Sequence, residues 1–292
     1  MPVLTRVRSM LFVPATRADM IAKIPRFAPD LAVADLEDAV APGEKAAARQ
    51  TAAQAIGALD AAATTVLVRV NPVGSPWFPE DVAAAAASGA AGIVVPKLES
   101  REQVDRVRAA LARHSWAGAV IVAGVETALG VADSRAVLAG APGGPGGPAG
   151  AYFGAEDYIA DLGGRRSPAG DEVLYARSAV SLAARLAGIP AIDQAVVGLA
   201  DDEHFLADAR RGCDLGYQGK ICIHPRQVEL AHRVFTPTPD EVAHARAVIK
   251  AGEAGVGVVD GEMVDEVHVR MARATLARDP GAPGAAGSAA AP

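Results

Sequence analysis

Residues Thr64–Thr127 read TTVLVRVNPVGSPWFPEDVAAAAASGAAGIVVPKLESREQVDRVRAALARHSWAGAVIVAGVET, and their alternation decides the fold. TTVLVRVN, AGIVVPKLE and GAVIVAGVET are β-branched runs of strand length. Between them lie PEDVAAAAASG and SREQVDRVRAALARH, rich in Ala, Leu and Arg and opened by Pro or Ser, as helices are. Strand, helix, strand, helix, strand is the signature of successive βα units.

The same alternation extends outward in both directions. Toward the N-terminus stand SMLFVPA from Ser9 and DLAVADLED from Asp30, followed by the helical EKAAARQTAAQAIGALD. Toward the C-terminus stand GAYFGAED from Gly150, GIPAID from Gly188 and QGKICIHP from Gln218, with the helical DEVLYARSAVSLAARLAG among them. Eight strands with seven intervening helices predict an α/β fold, a (β/α)₈ TIM barrel over residues 8–235. The strands are near-continuous hydrophobic runs, as expected when helices cover one face and the barrel core fills the other. An open doubly wound sheet is the competing arrangement. The loop after the first strand, VPATRADM, carries no GxGxxG, and the chain has no GxxxxGK[ST], so neither dinucleotide nor P-loop binding has a local motif.

Residues 236–278 form a C-terminal helical extension: PDEVAHARAVIKAGEAG reads as a helix, and GVVDGEMVDE as a small strand and turn leading into a final helix. Such an arm packs on its own barrel or reaches a neighbouring subunit. The Gly/Pro run APGGPGGPAG, Ala141 to Gly150, falls on the face opposite the strand C-termini and is expected to be a loop without catalytic duty. Residues 279–292, DPGAPGAAGSAAAP, lack apolar periodicity and are expected to be a disordered tail whose deletion leaves activity intact.

Composition narrows the function classes. Among 292 residues, 51% are hydrophobic and 21% charged, enough apolar material for a substantial core. The formal net charge of −6, without a Lys/Arg run, argues against nucleic acid or an anionic membrane as partner. Cys213 and Cys222 fit neither a CxxC pair nor a zinc ribbon and read as small hydrophobes. With no apolar run near the ~20 residues of a membrane span and no leader pattern, a cytoplasmic protein is expected.

The polar residues of the strand segments gather at their C-terminal ends, the active-site face of a barrel: Asp35, Glu37 and Asp38; Arg69 and Asn71; Lys97 and Glu99; Glu126; Glu156 and Asp157; Asp193; His224. Several carboxylates without a His/Cys cluster suit a hard cation such as Mg²⁺ or Mn²⁺. The plainer reading makes DLED and GAED surface loops with helix-capping acids. Arg69 could grip a substrate carboxylate by two parallel hydrogen bonds, or pair with Glu37 or Asp38. Lys97 could do similar work or form a Schiff base, but the surrounding carboxylates favour a charged, salt-bridged lysine. His224 lacks a triad pattern and reads as a structural histidine. Arg17 and Lys23 after the first strand, and Arg165, Arg166 and Ser167 after the sixth, could meet an anionic tail such as phosphates, or be exposed cations.

Taken in order, LFVPATRADMIAKI, DLEDAVAPGEKAAAR, VRVNP, VVPKLES, VETALGV, FGAEDYIADLGGRRSPAGDEVLYAR, AGIPAID, GYQGKICIHPRQ and GEMVDEVHVRMA, spanning about Arg8 to Arg278, resemble the citrate lyase β-subunit-like, malyl-CoA lyase superfamily of CoA-ester lyases. The resemblance implies a (β/α)₈ barrel with a C-terminal extension, assembled as homotrimer or homohexamer. It implies Mg²⁺-dependent cleavage or formation of the C–C bond between an acyl-CoA and a 2-oxo acid. By motif, it implies Glu126 and Asp157 as metal ligands, Glu37 and Asp38 as holders of metal-bound waters, and Arg69 as the arginine on the oxo-acid carboxylate and carbonyl oxygen. It further implies Asp265 of GEMVDE as the catalytic acid/base brought to a neighbouring subunit's site, and Arg17 and Lys23 as contacts for CoA phosphates. Citramalyl-CoA or malyl-CoA is the expected substrate type. The alternatives are citryl- or hydroxymethylglutaryl-CoA, a CoA-independent metal-dependent pyruvate aldolase, and a non-catalytic binding subunit.

Overall fold

Eight strands carry the hydrophobic runs: β1 (Ser9–Pro14), β2 (Leu31–Asp35), β3 (Thr65–Arg69), β4 (Gly92–Val95), β5 (Val120–Val125), β6 (Gly150–Phe153), β7 (Ala191–Asp193) and β8 (Gly219–Cys222). Each pairs in parallel with the next, and β1 closes the ring on β8 through Met10↔Ile221, giving a (β/α)₈ barrel. The computed structural model describes residues 4, 6–140, 146–253 and 255–279. The chain divides into two compact units, Met1–Ala231 and His232–Pro292.

Alternation along the strands builds the interior of the first unit. Met10, Leu31, Val33, Leu67, Val94, Val122, Tyr152, Ile192 and Ile221 meet in one buried cluster inside the barrel. Two residues on from these, in the same inward register, come Asp35 after Val33, Arg69 after Leu67, and Gly124 then Glu126 after Val122. The interior is thus apolar below and charged at the C-terminal mouth. The alternate residues, Ala32, Ala34, Val68, Ile93, Ile121 and Ala123, are buried as well, since helices cover the outer face.

Those helices are α1 (Ala18–Ile21), α2 (Ile24–Phe27), α3 (Lys45–Gly57), α4 (Phe78–Ala87), α5 (Arg101–Arg113), α6 (Ala128–Ala132), α7 (Ser134–Leu138), α8 (Ala155–Leu162), α9 (Leu174–Ala187), α10 (Asp202–Asp214) and α11 (Pro225–Phe235). Their starts are written in the sequence: the side chains of Ser100, Thr127 and Asp201 accept from the amides of Gln103, Gly130 and His204 at the heads of α5, α6 and α10. Cys222 is buried on β8 with its thiol pushed up to about 12 by burial, which fits a small hydrophobe. Residues 141–145 of the Gly/Pro run lie outside the described residues, as do 280–292 of the expected tail.

The second unit packs α12 (Pro239–Gly252) and α13 (Glu266–Leu276) around Ala245, Val248, Val264, Val269 and Ala272. Where one strand and a turn are expected there is a two-stranded antiparallel hairpin, β9 (Gly257–Val259) and β10 (Glu262–Val264). Its turn is Asp260-Gly261, with φ of 53° and 85°, the positive-φ pair that a tight hairpin demands. Among the described residues no helix is long and apolar enough to cross a membrane.

Candidate active site

At the mouth of the barrel the DLED loop, the end of β3 and the end of β4 bring opposite charges together. Arg69 donates through Nε to Asp35 Oδ1 at 2.6 Å and through Nη2 to Asp35 Oδ2 at 2.7 Å. The two-bond edge of its guanidinium is therefore occupied by Asp35 and is not open to a substrate carboxylate, and the ion pairing expected with Glu37 or Asp38 forms beside it. Nη1 lies 2.9 Å from Glu37 Oε2, and Nη2 lies 3.5 Å from Asp38. The Glu37 contact is close as charges but not aligned as a hydrogen bond, so Glu37 Oε2 is a buried oxygen still lacking a donor. Burial alone would lower the Arg69 pKa, yet Asp35 holds it well above the ordinary value.

Lys97 Nζ sits 2.6 Å from Glu37 Oε1, 3.2 Å from Asp157 Oδ1 and 3.9 Å from Asp38 Oδ1. Burial would lower this ammonium, but Glu37, Asp157 and Asp38 outweigh it and keep it protonated, which is the salt-bridged lysine and not a Schiff-base nucleophile. Glu126, 1% exposed, accepts at Oε1 from the Lys97 amide and from the Tyr152 hydroxyl, both at 2.9 Å. Burial, reinforced by the negative charges of Asp157 and Glu37, pushes its carboxyl up to about 7. Burial also raises Glu37. Asp157 stands in the first turn of α8, whose N-terminal dipole favours a carboxylate there.

Part of this cluster borders a 440 Å³ cavity with two kinds of wall. Asp35, Asp38, Arg69, Glu126 and Asp157 make one side, and Phe12, Ala195, Ile221 and Ile223 the other. The guanidinium of Arg69 lies 5.0 Å from the centre of the Phe12 ring, joining the two sides by a cation–π contact. The DLED loop is held from behind. Lys45, buried at the start of α3, donates to the carbonyls of Leu36 and Glu37 at 2.6 and 2.8 Å and to Asn71 Oδ1 at 2.8 Å.

The structure thus gathers Glu37, Asp38, Arg69, Lys97, Glu126 and Asp157, and sends other candidates elsewhere. Asp193 is inverted relative to Ile192 and points away from the barrel interior, where Arg177 of α9 and Lys220 of β8 hold it at 2.6 and 2.8 Å. Asn71 turns to Lys45 and Asp81. His224 Nδ1 accepts from the Arg226 amide at 3.2 Å, a local turn contact. Arg17 and Lys23 are half-exposed, pair with Asp19 at 2.8 and 3.6 Å, and do not border the cavity among the described residues. Arg166 pairs with Glu156 and Glu172. Asp265 belongs to the second unit, where it caps α13: Oδ1 accepts from the Val267 amide at 2.9 Å and lies 2.8 Å from His268 Nδ1, a hydrogen bond that lowers its pKa. The same unit exposes apolar side chains, among them Val258, Met263, Val267 and Met271.

The sequence places Asp35 only among the polar strand-end residues, without a role, and marks neither Tyr152 nor Lys45. Counting by twos from the apolar interior finds Asp35 and Tyr152, because Val33 and Gly150 set the parity. Nothing local marks Lys45, whose partners lie across two loops.

Comparison with known proteins agrees with the barrel fold. Residues 8–225 match the family described as HpcH/HpaI aldolase/citrate lyase. A citrate lyase subunit beta-like protein of Deinococcus radiodurans is 48% identical over 94% of this chain and 97% of that protein. Citrate lyase subunit beta of Escherichia coli is 37% identical over 93% of this chain and 92% of that protein. The crystal structure of CitE from Mycobacterium tuberculosis, in complex with magnesium, acetoacetate and coenzyme A, is 31% identical with a TM-score of 0.80, covering 94% of this chain and 99% of that one.

Proposed function

The chain belongs to the HpcH/HpaI aldolase/citrate lyase family, which makes it a lyase, and from that premise we propose a Mg²⁺-dependent carbon–carbon lyase of citramalyl-CoA or malyl-CoA type. It cleaves a 3-hydroxyacyl-CoA into an acyl-CoA and a 2-oxo acid, or joins the two. The observation that carries the reading is the surplus of carboxylates at the barrel mouth, with Glu126 buried against Asp157 and Glu37 and pushed up to about 7.

The residues present fit a divalent cation. A buried carboxyl among like charges, and a buried Glu37 oxygen without a donor, are both relieved by a cation with its waters. Among the described residues no three His, Cys, Asp or Glu side chains form a metal cage by themselves. The pair Glu126 and Asp157 suits Mg²⁺, which takes one or two carboxylates and completes its shell with water and substrate, and Mn²⁺ serves the same donor set. Glu126 and Asp157 would hold it, while Glu37 and Asp38 would accept hydrogen bonds from the surrounding waters. When bound, the cation supplies Lewis-acid polarisation of the hydroxyl and carboxylate oxygens of the substrate.

The chain's own residues do the rest. Arg69, fixed by Asp35 and the Phe12 face and bordering the cavity, would place its positive charge beside the oxygen where oxyanion character develops as the hydroxyl proton is lost. The apolar side made by Phe12, Ile221 and Ile223 excludes water from the breaking bond. The electron pair of the C2–C3 bond passes into the thioester enolate, and Asp265 returns a proton to C2. In the condensing direction the same carboxylate removes it. We assign Asp265 to the site of a neighbouring copy in a homotrimer or homohexamer, a reading supported by the exposed apolar residues of its unit. Arg17 and Lys23 would meet CoA phosphates at the rim.

The test is release of acyl-CoA and 2-oxo acid from a panel of malyl-, citramalyl-, citryl- and hydroxymethylglutaryl-CoA, with Mg²⁺ and again with EDTA. Metal-dependent cleavage of malyl- or citramalyl-CoA is expected. Silence across the panel from folded, metal-loaded protein overturns the reading in favour of a CoA-independent aldolase or a binding subunit.

A further inference from the structure

On the inward face of the barrel, β5 and β6 interlock by exchanging small and large residues. The register sets Gly124 opposite Tyr152, and one step up the same face Glu126 lies beside Gly154. A Cβ at position 124 would stand 2.4 Å from the Tyr152 hydroxyl oxygen, and a Cβ at position 154 would stand 2.2 Å from Glu126 Oε2. Each glycine clears the space that its neighbour's polar atom occupies.

The Tyr152 ring is locked beneath the site, 2% exposed and edge-on to Phe12 with centroids 6.4 Å apart. Its hydroxyl donates to Glu126 Oε1 at 2.9 Å, and the Lys97 amide donates to the same oxygen at 2.9 Å. Lys97 holds a φ of 53°, a left-handed backbone that a residue with a side chain adopts only where its surroundings compel it. Two donors on Oε1 fix the plane of the carboxylate and leave Oε2 beside Gly154, on the cavity wall. A phenylalanine would fill the same space and pack on Phe12 equally well, so packing does not account for the hydroxyl.

We propose that Tyr152 is a positioning residue: through its hydroxyl, and together with the Lys97 amide, it orients Glu126 so that Oε2 is presented to a divalent cation. This rests on the functional reading above. Orienting partners of this kind sharpen the affinity of a carboxylate for its metal without touching the metal themselves.

The experiment titrates Mn²⁺ into the full chain by calorimetry, for wild type and Tyr152→Phe, and follows thermal melting of both without metal. The expected result is Mn²⁺ binding weakened ~10–100-fold with the metal-free melting midpoint little changed. The Mn²⁺ concentration for half-maximal ester cleavage should rise in proportion, while turnover at saturating Mn²⁺ returns to within a few-fold of wild type. A folded Tyr152→Phe that binds Mn²⁺ as tightly as wild type overturns the proposal. If that variant does not fold, Gly124→Ala crowds the hydroxyl while keeping the phenol, and should weaken Mn²⁺ binding similarly; unchanged binding there overturns the proposal too. Where both fold, the double variant should bind no worse than the weaker single one, since both act through one hydrogen bond. Wild-type protein that binds no Mn²⁺ overturns the functional reading and this inference together. Binding in wild type without cleavage of any ester overturns the functional reading and leaves the Tyr152 comparison standing.

Discussion

Two clusters of charge hang on the same barrel and are built on opposite principles. Between β7, β8, α9 and α10, the cations Arg177 and Lys220 face the carboxylates Asp193 and Asp208, with Lys220 Nζ 2.8 Å from Asp193 and Arg177 Nη1 3.0 Å from Asp208. At the mouth, Arg69 and Lys97 face Asp35, Glu37, Asp38, Glu126 and Asp157. The first cluster is balanced and the second is not. Burial would raise Asp208, but Lys220 and Arg177 overcome it and hold the carboxyl at about 2. For Glu126 burial prevails, aided by Asp157 and Glu37, and the carboxyl stands at about 7. A balanced cluster is complete without further ions and serves the fold. An unbalanced one keeps negative charge to spare, which is the property the proposed cation site draws on.

That contrast can be broken most directly at Glu126. Glu126→Gln should cut metal-dependent cleavage by ~10³-fold or more. At pH 8 it should leave the metal-free melting midpoint equal to or above that of wild type, because an ionised buried carboxylate is removed. A large drop in that midpoint would show the mouth to be a structural network like its counterpart. Asp265→Asn tests whether the C-terminal unit supplies the proton. Asparagine caps a helix as well as aspartate, so melting and CoA-ester binding should persist while turnover falls ~10²–10⁴-fold. An active Asp265→Asn would remove the assignment.

The balanced cluster should answer in the opposite sense. Lys220→Met leaves buried carboxylates short of a partner and should cost about 3–5 kcal/mol in denaturant unfolding, with turnover of the folded enzyme within about threefold of wild type. The smallest effects are in pH and metal. Glu126 has a folded pKa of about 7 against an ordinary 4.5, so its stabilising share is complete below pH 4.5 and is lost as pH rises through about 7 in metal-free protein. Asp208 has a folded pKa of about 2 against an ordinary 3.8, so its share is complete above pH 3.8 and is lost as pH falls through about 2. Melting curves across pH with EDTA should show the first slope, and Glu126→Gln should flatten it. Mg²⁺ at about 100 times its Kd should add about 2.7 kcal/mol at pH 8 to wild type and little to that variant.

What the sequence determined by itself was whatever depends on near neighbours along the chain. Hydrophobic runs separated by capped helices announced eight βα units, and the acids of DLED, VET and GAED at the strand ends announced the mouth. Tertiary structure decided which polar residue faces which partner. Asp193 and Glu126 both stand at a strand's end, yet Asp193 alternates with Ile192 and falls outside the barrel toward Arg177, whereas Glu126 shares the inward face with Val122. Arg69 meets Asp35, 34 positions away, because β2 and β3 pair in the register Asp35↔Arg69. Tyr152 meets Glu126 only because β5 and β6 lie side by side with glycines in the gaps. Periodicity is a local property and survives in the sequence, while closure of the barrel fixes parity and register among distant strands, and these decide whether a charge is neutralised or left to bind an ion.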